Sequence, residues 1–341
     1  MTTHSLPCPP FYTIPHIANL RDPSLHPNLT TSSGAKLRLG ILFRSAEPSK
    51  LDQEGWRQIR ALGIGHVFDL RSKPEVNRGW IATVGNGNGN AAGVDESMNA
   101  QPAWIGKLEK EGLNRHWVPV FADRDYSPER LAQRYAMYMG ETAEGFVRAY
   151  ADILMHAGPS FRTILLYLAG LPPPGSSSPG EHTGESEAEL GALVHCTAGK
   201  DRTGIFFGLL FTFLGVDRET AADEYALTEL GLAHVRDEVV GRLVQSQAVR
   251  QYVALQMQGK EAASAAELAD GGGDGAKKVD DEALVLARRA ALRMAGARRE
   301  NLLGSLEMVE REYGGAEGYF RGVCGLGDEE LEALRRNLVL A

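Results

Sequence analysis

A cysteine, a lysine, an aspartate and an arginine crowd into the stretch His195-Cys196-Thr197-Ala198-Gly199-Lys200-Asp201-Arg202-Thr203-Gly204. Five residues separate Cys196 from Arg202, with Gly199 among them. Ala192-Leu193-Val194 before this stretch and Ile205-Phe206-Phe207-Gly208-Leu209-Leu210 after it are apolar. The pattern predicts a short buried strand, a tight loop and a helix opening at Arg202. A loop of that size curls so that successive N–H groups point inward and form an anion-binding nest. The positive end of the following helix faces the same point. A dianionic phosphate fits there, cradled by Thr197, Ala198, Gly199 and Lys200, with the Arg202 guanidinium gripping two oxygens. The same field favours the thiolate of Cys196, a nucleophile that can attack phosphorus. A plain buried cysteine would not explain Lys-Asp-Arg between two apolar segments. A Walker-type nucleotide loop is excluded, because Lys200 is followed by Asp201 and no glycine stands at the required upstream position.

Other elements must hold this loop. Leu37 to Phe43 reads as a hairpin or strand entering the core and ending in Arg44-Ser45-Ala46, and His66-Val67-Phe68-Asp69-Leu70 reads as a second strand ending in Arg71-Ser72. Both deliver an arginine near a strand end, the place where open α/β sheets bind ligands. Between them a helix is expected from Ser49, with Asp52 as the capping-box partner. Arg115 to Phe121 is the third strand, followed in a loop by Asp123 and Asp125. Glu129 to Met155 predicts one bent helix or two, broken near Gly140, and Phe161 to Leu168 a helix before the signature strand. Asp217 caps a helix through Thr228, another runs from Val235 to Met257, and amphipathic helices follow around Leu302–Tyr313 and Leu331–Leu338. Low-complexity insertions are expected near 84–100, 172–189 and 260–278, interrupting one domain that spans 1–341. Met1 to Pro27 is Pro-rich and aperiodic, and reads as an extended, partly ordered arm. Within it, Asn19-Leu20-Arg21-Asp22 is unusual for a tail, since it joins an apolar anchor to a charge pair.

The 341 residues suffice for a large buried core, and the formal net charge of −8 argues against non-specific nucleic-acid binding. No apolar run is long enough to span a bilayer, and the N-terminus lacks the features of a signal peptide. Three widely spaced cysteines suggest no disulfide framework, so a reducing, cytoplasmic setting is expected. No metal-ligand cluster stands out, and the expected chemistry needs neither metal nor cofactor. The sequence sets no oligomeric state.

The loop resembles the His-Cys-x5-Arg-Thr/Ser-Gly signature of cysteine-dependent phosphatases. Its neighbours narrow the resemblance. Asn19-Leu20-Arg21-Asp22, Gly40-Ile41-Leu42-Phe43-Arg44-Ser45-Ala46, Val67-Phe68-Asp69-Leu70-Arg71-Ser72, Glu224-Tyr225-Ala226-Leu227-Thr228 and Glu312-Tyr313-Gly314 with Gly318-Tyr319-Phe320 come in the order seen in the tyrosine-phosphatase family 3 group. That resemblance implies an α/β cysteine-phosphatase fold, a central and mostly parallel sheet flanked by helices, with extra C-terminal helices. It implies hydrolysis of phosphotyrosine, phosphoserine/threonine or phosphoinositides, so the partner is a phosphorylated protein or a phosphoinositide. Cys196 matches the nucleophile, Arg202 the phosphate-binding arginine, Lys200 a loop lysine shared with lipid phosphatases and Asp201 the family's loop aspartate.

In the expected reaction Cys196 attacks phosphorus to give a phosphocysteine, an acid protonates the leaving oxygen, and water completes the cycle. Thr203 is expected to hydrogen-bond the sulfur, and His195, Arg44, Asp69 and Arg71 to support the site. Asp201 is preferred as the acid on resemblance, although two flanking cations favour its carboxylate form; Asp123 and Asp125 are the alternatives. A phosphate-binding pseudophosphatase scaffold and a redox enzyme using Cys196 are the competing readings. The first usually loses the nucleophile, and the second lacks a resolving cysteine near Cys196.

Overall fold

The computed structural model describes residues 6–77, 102–122, 128–175, 190–257 and 281–340. The expected insertions at 84–100 and 260–278 lie outside the described residues, as does 172–189 beyond Gly175. At the centre is a four-stranded, all-parallel sheet in the order β1-β4-β2-β3, made of β1 (Leu42–Ser45), β2 (Ile64–Asp69), β3 (Asn114–Trp117) and β4 (Gly191–His195). The first three strands are each shifted or shortened against expectation, β1 starting at Leu42 rather than Leu37, β2 ending at Asp69 and β3 at Trp117. Pro119 cannot donate to a ladder, and β3 stops before it.

Residues of alternate parity face opposite layers, as the pleat requires. Leu42, Phe68, Ala192 and Val194 pack into one core with helices α4 (Ala143–Ala169) and α5 (Asp201–Phe213). Phe43, Val67 and Leu193 pack into the other, against α1 (Gln53–Ala61), α2 (Ala103–Lys110) and Ile14, Ile17 and Leu20 of the N-terminal arm. The arm is therefore part of the core. Its Phe11 and Leu20 are each 1 % exposed, and Arg21 and Arg44 pair through their backbones on both sides.

Asp52 itself caps α1, its carboxylate accepting from the Gly55 N–H, so the helix starts later than Ser49. α3 (Pro128–Met139) and α4 are separate helices broken at Gly140, as the sequence predicts. The helix expected around Phe161 is the second half of α4, which runs straight through Pro159. The buried stripe Ile153, Leu154, Ala157, Phe161, Ile164 and Leu165 offsets the backbone bond lost at that proline. After α5 come α6 (Arg218–Ala226), capped by Asp217, and the short α7 (Thr228–Gly231). The single helix expected from Val235 to Met257 is two, α8 (Ala233–Gln245) and α9 (Gln247–Met257), parted at Ser246. With α3 and α10 (Asp281–Ala295) they form a separate apolar bundle around Met139, Val240, Leu243, Val249 and Ala290. Helices α11 (Arg299–Tyr313), α12 (Gly315–Gly322) and α13 (Asp328–Leu338) complete the first core. Among the described residues no helix is long and apolar enough to cross a membrane.

Candidate active site

The strand register decides where the site is. Ser45 and Asp69 both stand level with His195, so β1, β4 and β2 end on one edge and hand over to Ala46, Cys196 and Leu70 together. Cys196 is 2 % exposed, and the 197–200 loop leads directly into α5. Gly199 has φ +63°, and a Cβ there would lie 2.1 Å from the Ser45 carbonyl oxygen. Only glycine allows the loop to turn this close to β1.

Three successive carbonyls of the loop are tied from outside. The Glu47 N–H donates to Thr197 O at 3.0 Å, and Asn19 Nδ2 donates to Ala198 O and Gly199 O at 3.2 and 3.3 Å. Arg44 Nη2 also donates to Gly199 O, at 2.8 Å. Among the described residues nothing accepts from the N–H groups of Thr197 to Asp201. A peptide whose carbonyls are held outward turns its N–H groups the other way, which is the geometry of an anion nest.

Arg202 reaches back under the loop to Glu75. Its two terminal nitrogens donate to the Glu75 carboxylate at 2.7 and 2.6 Å, and Nη2 also donates to Thr197 Oγ1 at 3.2 Å. Thr197 Oγ1 donates to Glu75 at 2.6 Å. Sequence reasoning missed Glu75, although its signal is present: Ser72-Lys73-Pro74-Glu75 is a capping-box pattern, and the Ser72 N–H does donate to Glu75 Oε2 at 3.0 Å. The bidentate acceptor that Arg202 holds is thus a carboxylate of the protein.

The remaining expected residues fall into two groups. Asp201 and Lys200 line the same cavity as Cys196 and Arg202. The ammonium of Lys200, expected at the phosphate, donates instead to the carbonyls of Met294 and Gly296 at the C-terminal end of α10, where helix carbonyls lack partners. Arg44 and Arg71 do not line the cavity. Arg44 pairs with Glu224 at 2.6 Å, and Arg71 pairs with Asp69 at 2.9 Å and with Glu47. They brace the loop and the strand ends and leave no exposed cluster for a second phosphate. Thr203 Oγ1 is buried with no hydrogen-bond partner, so the expected bond to the sulfur is not made. Asp123 and Asp125 lie outside the described residues; Phe121, just before them, lines the cavity.

His195 Nδ1 donates to the Cys196 carbonyl 3.1 Å away, which fixes the proton on Nδ1. Burial pushes its pKa down to about 4 against the opposing pull of Asp69, so the ring is neutral at pH 7. Burial alone would raise the Asp69 carboxyl, but His195 together with Arg71 and Arg115 holds it well below the usual carboxylate range. Arg115 pairs with its second oxygen at 2.9 Å.

Above the loop the cavity encloses about 180 Å³. Its walls are mainly apolar, with Leu131, Tyr135 and Tyr138 from α3, Ile153 from α4 and Val235 and Val239 from α8. Burial and the nearby Glu75 push the Tyr135 phenol up to about 12. In these walls Arg134 pairs with Asp152 at 2.8 Å, and Arg236 pairs with Glu229 outside the cavity. An anion nest, a buried cysteine and an arginine at one floor point to phosphate-ester chemistry, and comparison with known proteins decides the family. A sequence model of the tyrosine phosphatase family matches residues 12–340. The chain belongs to the tyrosine phosphatase family. It is 25 % identical over 335 residues to the triple specificity protein phosphatase PtpB of Mycobacterium tuberculosis, covering 94 % of this chain and 96 % of that protein. It is 26 % identical over 295 residues to a tyrosine-protein phosphatase of Nostoc commune, covering 86 % and 73 %. The protein is accordingly an enzyme of the protein-tyrosine-phosphatase type, and the all-parallel sheet with flanking helices is the fold that this family membership predicts.

Proposed function

We propose that this phosphatase hydrolyses phosphomonoesters through a phosphocysteine on Cys196. The observation that carries the reading is the outward tethering of the Thr197, Ala198 and Gly199 carbonyls around a buried cysteine, with Arg202 oriented at the same floor. In the first step the Cys196 sulfur attacks phosphorus, an S–P bond forms and the P–O ester bond breaks. The leaving oxygen takes a proton from Asp201. In the second step water attacks phosphorus, its proton returns to Asp201, the S–P bond breaks and inorganic phosphate leaves. Loop N–H groups and Arg202 carry the charge that builds on the other phosphoryl oxygens. His195 orients the loop and moves no proton.

Phosphotyrosine is the proposed principal substrate group, because the cavity walls offer aromatic and aliphatic surface to a ring. The mycobacterial relative's name, a triple specificity phosphatase, supports phosphoserine/threonine or phosphoinositides as further substrates. Three unpaired cysteines support work in a reducing, cytoplasmic compartment. The test is a substrate series on wild type and Asp201→Asn. General acid catalysis contributes about 10²–10⁴-fold, so alkyl phosphates should lose that much while aryl phosphates with strongly electron-withdrawing rings lose far less. Equal losses on both would remove Asp201 from the acid role.

A further inference from the structure

The two oxygens of Asp201 are not equivalent. Tyr150, fully buried on α4, donates its hydroxyl to Oδ1 at 3.2 Å. Lys200 Nζ lies 3.4 Å from the same oxygen and is itself held by the carbonyls of Met294 and Gly296. Among the described residues no hydrogen bond or ion pair is made to Oδ2, and the side chain lines the cavity. The Tyr150 hydroxyl is 2.7 Å from that of Tyr225, also fully buried, on α6. Since Tyr150 spends its single proton on the carboxylate, Tyr225 must be the donor to Tyr150. The hydrogen bonds therefore run one way, Tyr225 to Tyr150 to Asp201.

Gly204 makes this line possible. A Cβ there would come within 2.7 Å of the Tyr225 ring, so the glycine lets that ring lie against the first turn of α5. The titratable and charged groups around Asp201 are Tyr138 on α3, Tyr150 on α4, Tyr225 on α6, and its neighbours Lys200 and Arg202, with the Arg134–Asp152 pair in the same cavity. Burial drives the three phenols well above their ordinary range, so they remain neutral donors throughout the working pH.

We propose that Tyr150 is a positioning residue that binds Asp201 through Oδ1, so that Oδ2 is the oxygen that hands the proton to the leaving group. Tyr225 fixes the direction of the Tyr150 hydroxyl. This rests on the reading of Asp201 as the acid. When the proton leaves, negative charge appears on the carboxylate, and a donor already aimed at Oδ1 stabilises it without rearrangement.

Tyr150→Phe keeps the ring and removes the donor. It should lower kcat on an alkyl phosphate about tenfold and on a dinitrophenyl phosphate about twofold, with KM little changed, the size expected for one hydrogen bond to a charged group. Losing a donor to the carboxylate favours its protonated form, so the alkaline limb of the pH–rate profile should move up by about half a unit to one unit. Tyr225→Phe should show the same split, smaller, and serves if Tyr150→Phe fails to fold. Equal losses on both substrates with an unmoved limb would overturn the proposal, as would no loss. Asp201→Asn in the same series separates the two claims. If it shows the leaving-group split and neither tyrosine variant does, only the positioning role falls; if it shows no split, the acid assignment and the positioning role fall together.

Discussion

Glu75 occupies both terminal nitrogens of Arg202 and accepts from Thr197 and from the Ser72 backbone, so it is built in from three sides. A carboxylate fixed in this way orients the guanidinium more than it shields it. Glu75→Gln should therefore lower kcat/KM by about 10–100-fold, the equivalent of one charge-assisted hydrogen-bond pair, in steady-state assays on an aryl phosphate. A rise in kcat/KM would mean that Glu75 competes with substrate for Arg202. At this scale the sequence was most legible where the chemistry is contiguous. Cys196, Gly199, Asp201 and Arg202 sit within one loop, and their types and spacing announce an anion site. Glu75 shows in the sequence only as a capping-box residue and Asn19 only as part of an unusual motif in the arm; that they and Tyr150 meet the loop follows from a chain that folds back over many residues.

Between elements, a buried ion triad fastens the N-terminal arm to α6 and β1. Glu224 on α6 takes Arg21 and Arg44 at 2.6 Å each, and all three side chains are at most 1 % exposed. Burial would raise the Glu224 carboxyl, but the two guanidinium groups hold it down. Burial lowers Arg21 to about 10, still charged at neutral pH. Glu224→Gln leaves two buried cations uncompensated and should cost about 3–5 kcal/mol in urea unfolding. A loss below about 1 kcal/mol would show that the triad does not fasten the arm. Asn19→Ala frees the carbonyls of Ala198 and Gly199, takes an acceptor from the buried Arg21 guanidinium and puts alanine at φ +61°, so it should lower turnover about tenfold and cost about 2–3 kcal/mol of stability. The arm's composition concealed this role. Proline and the lack of periodicity read as an extended tail, whereas its few apolar and charged side chains meet partners supplied by β1 and α6. The continuity of α4 was hidden likewise, since Pro159 is a breaker by itself and is overruled by the buried stripe on either side.

For the whole molecule, His195 links the site to stability. Its folded pKa of about 4 lies below the ordinary 6.5, so the unfolded chain binds more protons in that window. Its contribution is complete above pH 6.5 and is lost as pH falls toward 4. Urea unfolding should show about 2–3 kcal/mol less stability at pH 4.5 than at pH 7.5 from this group, and His195→Asn should flatten that part of the profile. Asp69, held below the usual carboxylate range, keeps its contribution across this window and loses it only in stronger acid. Rapid-quench mass spectrometry during turnover of an activated aryl phosphate shows whether the phosphoryl group passes through Cys196. One phosphoryl group should appear on the Cys196 peptide, rise with the first burst of phenol release, and be absent from Cys196→Ser, which should bind substrate without turning it over. A phosphoryl group on another residue, or Cys196→Ser turning over at the wild-type rate, would rule out the phosphocysteine.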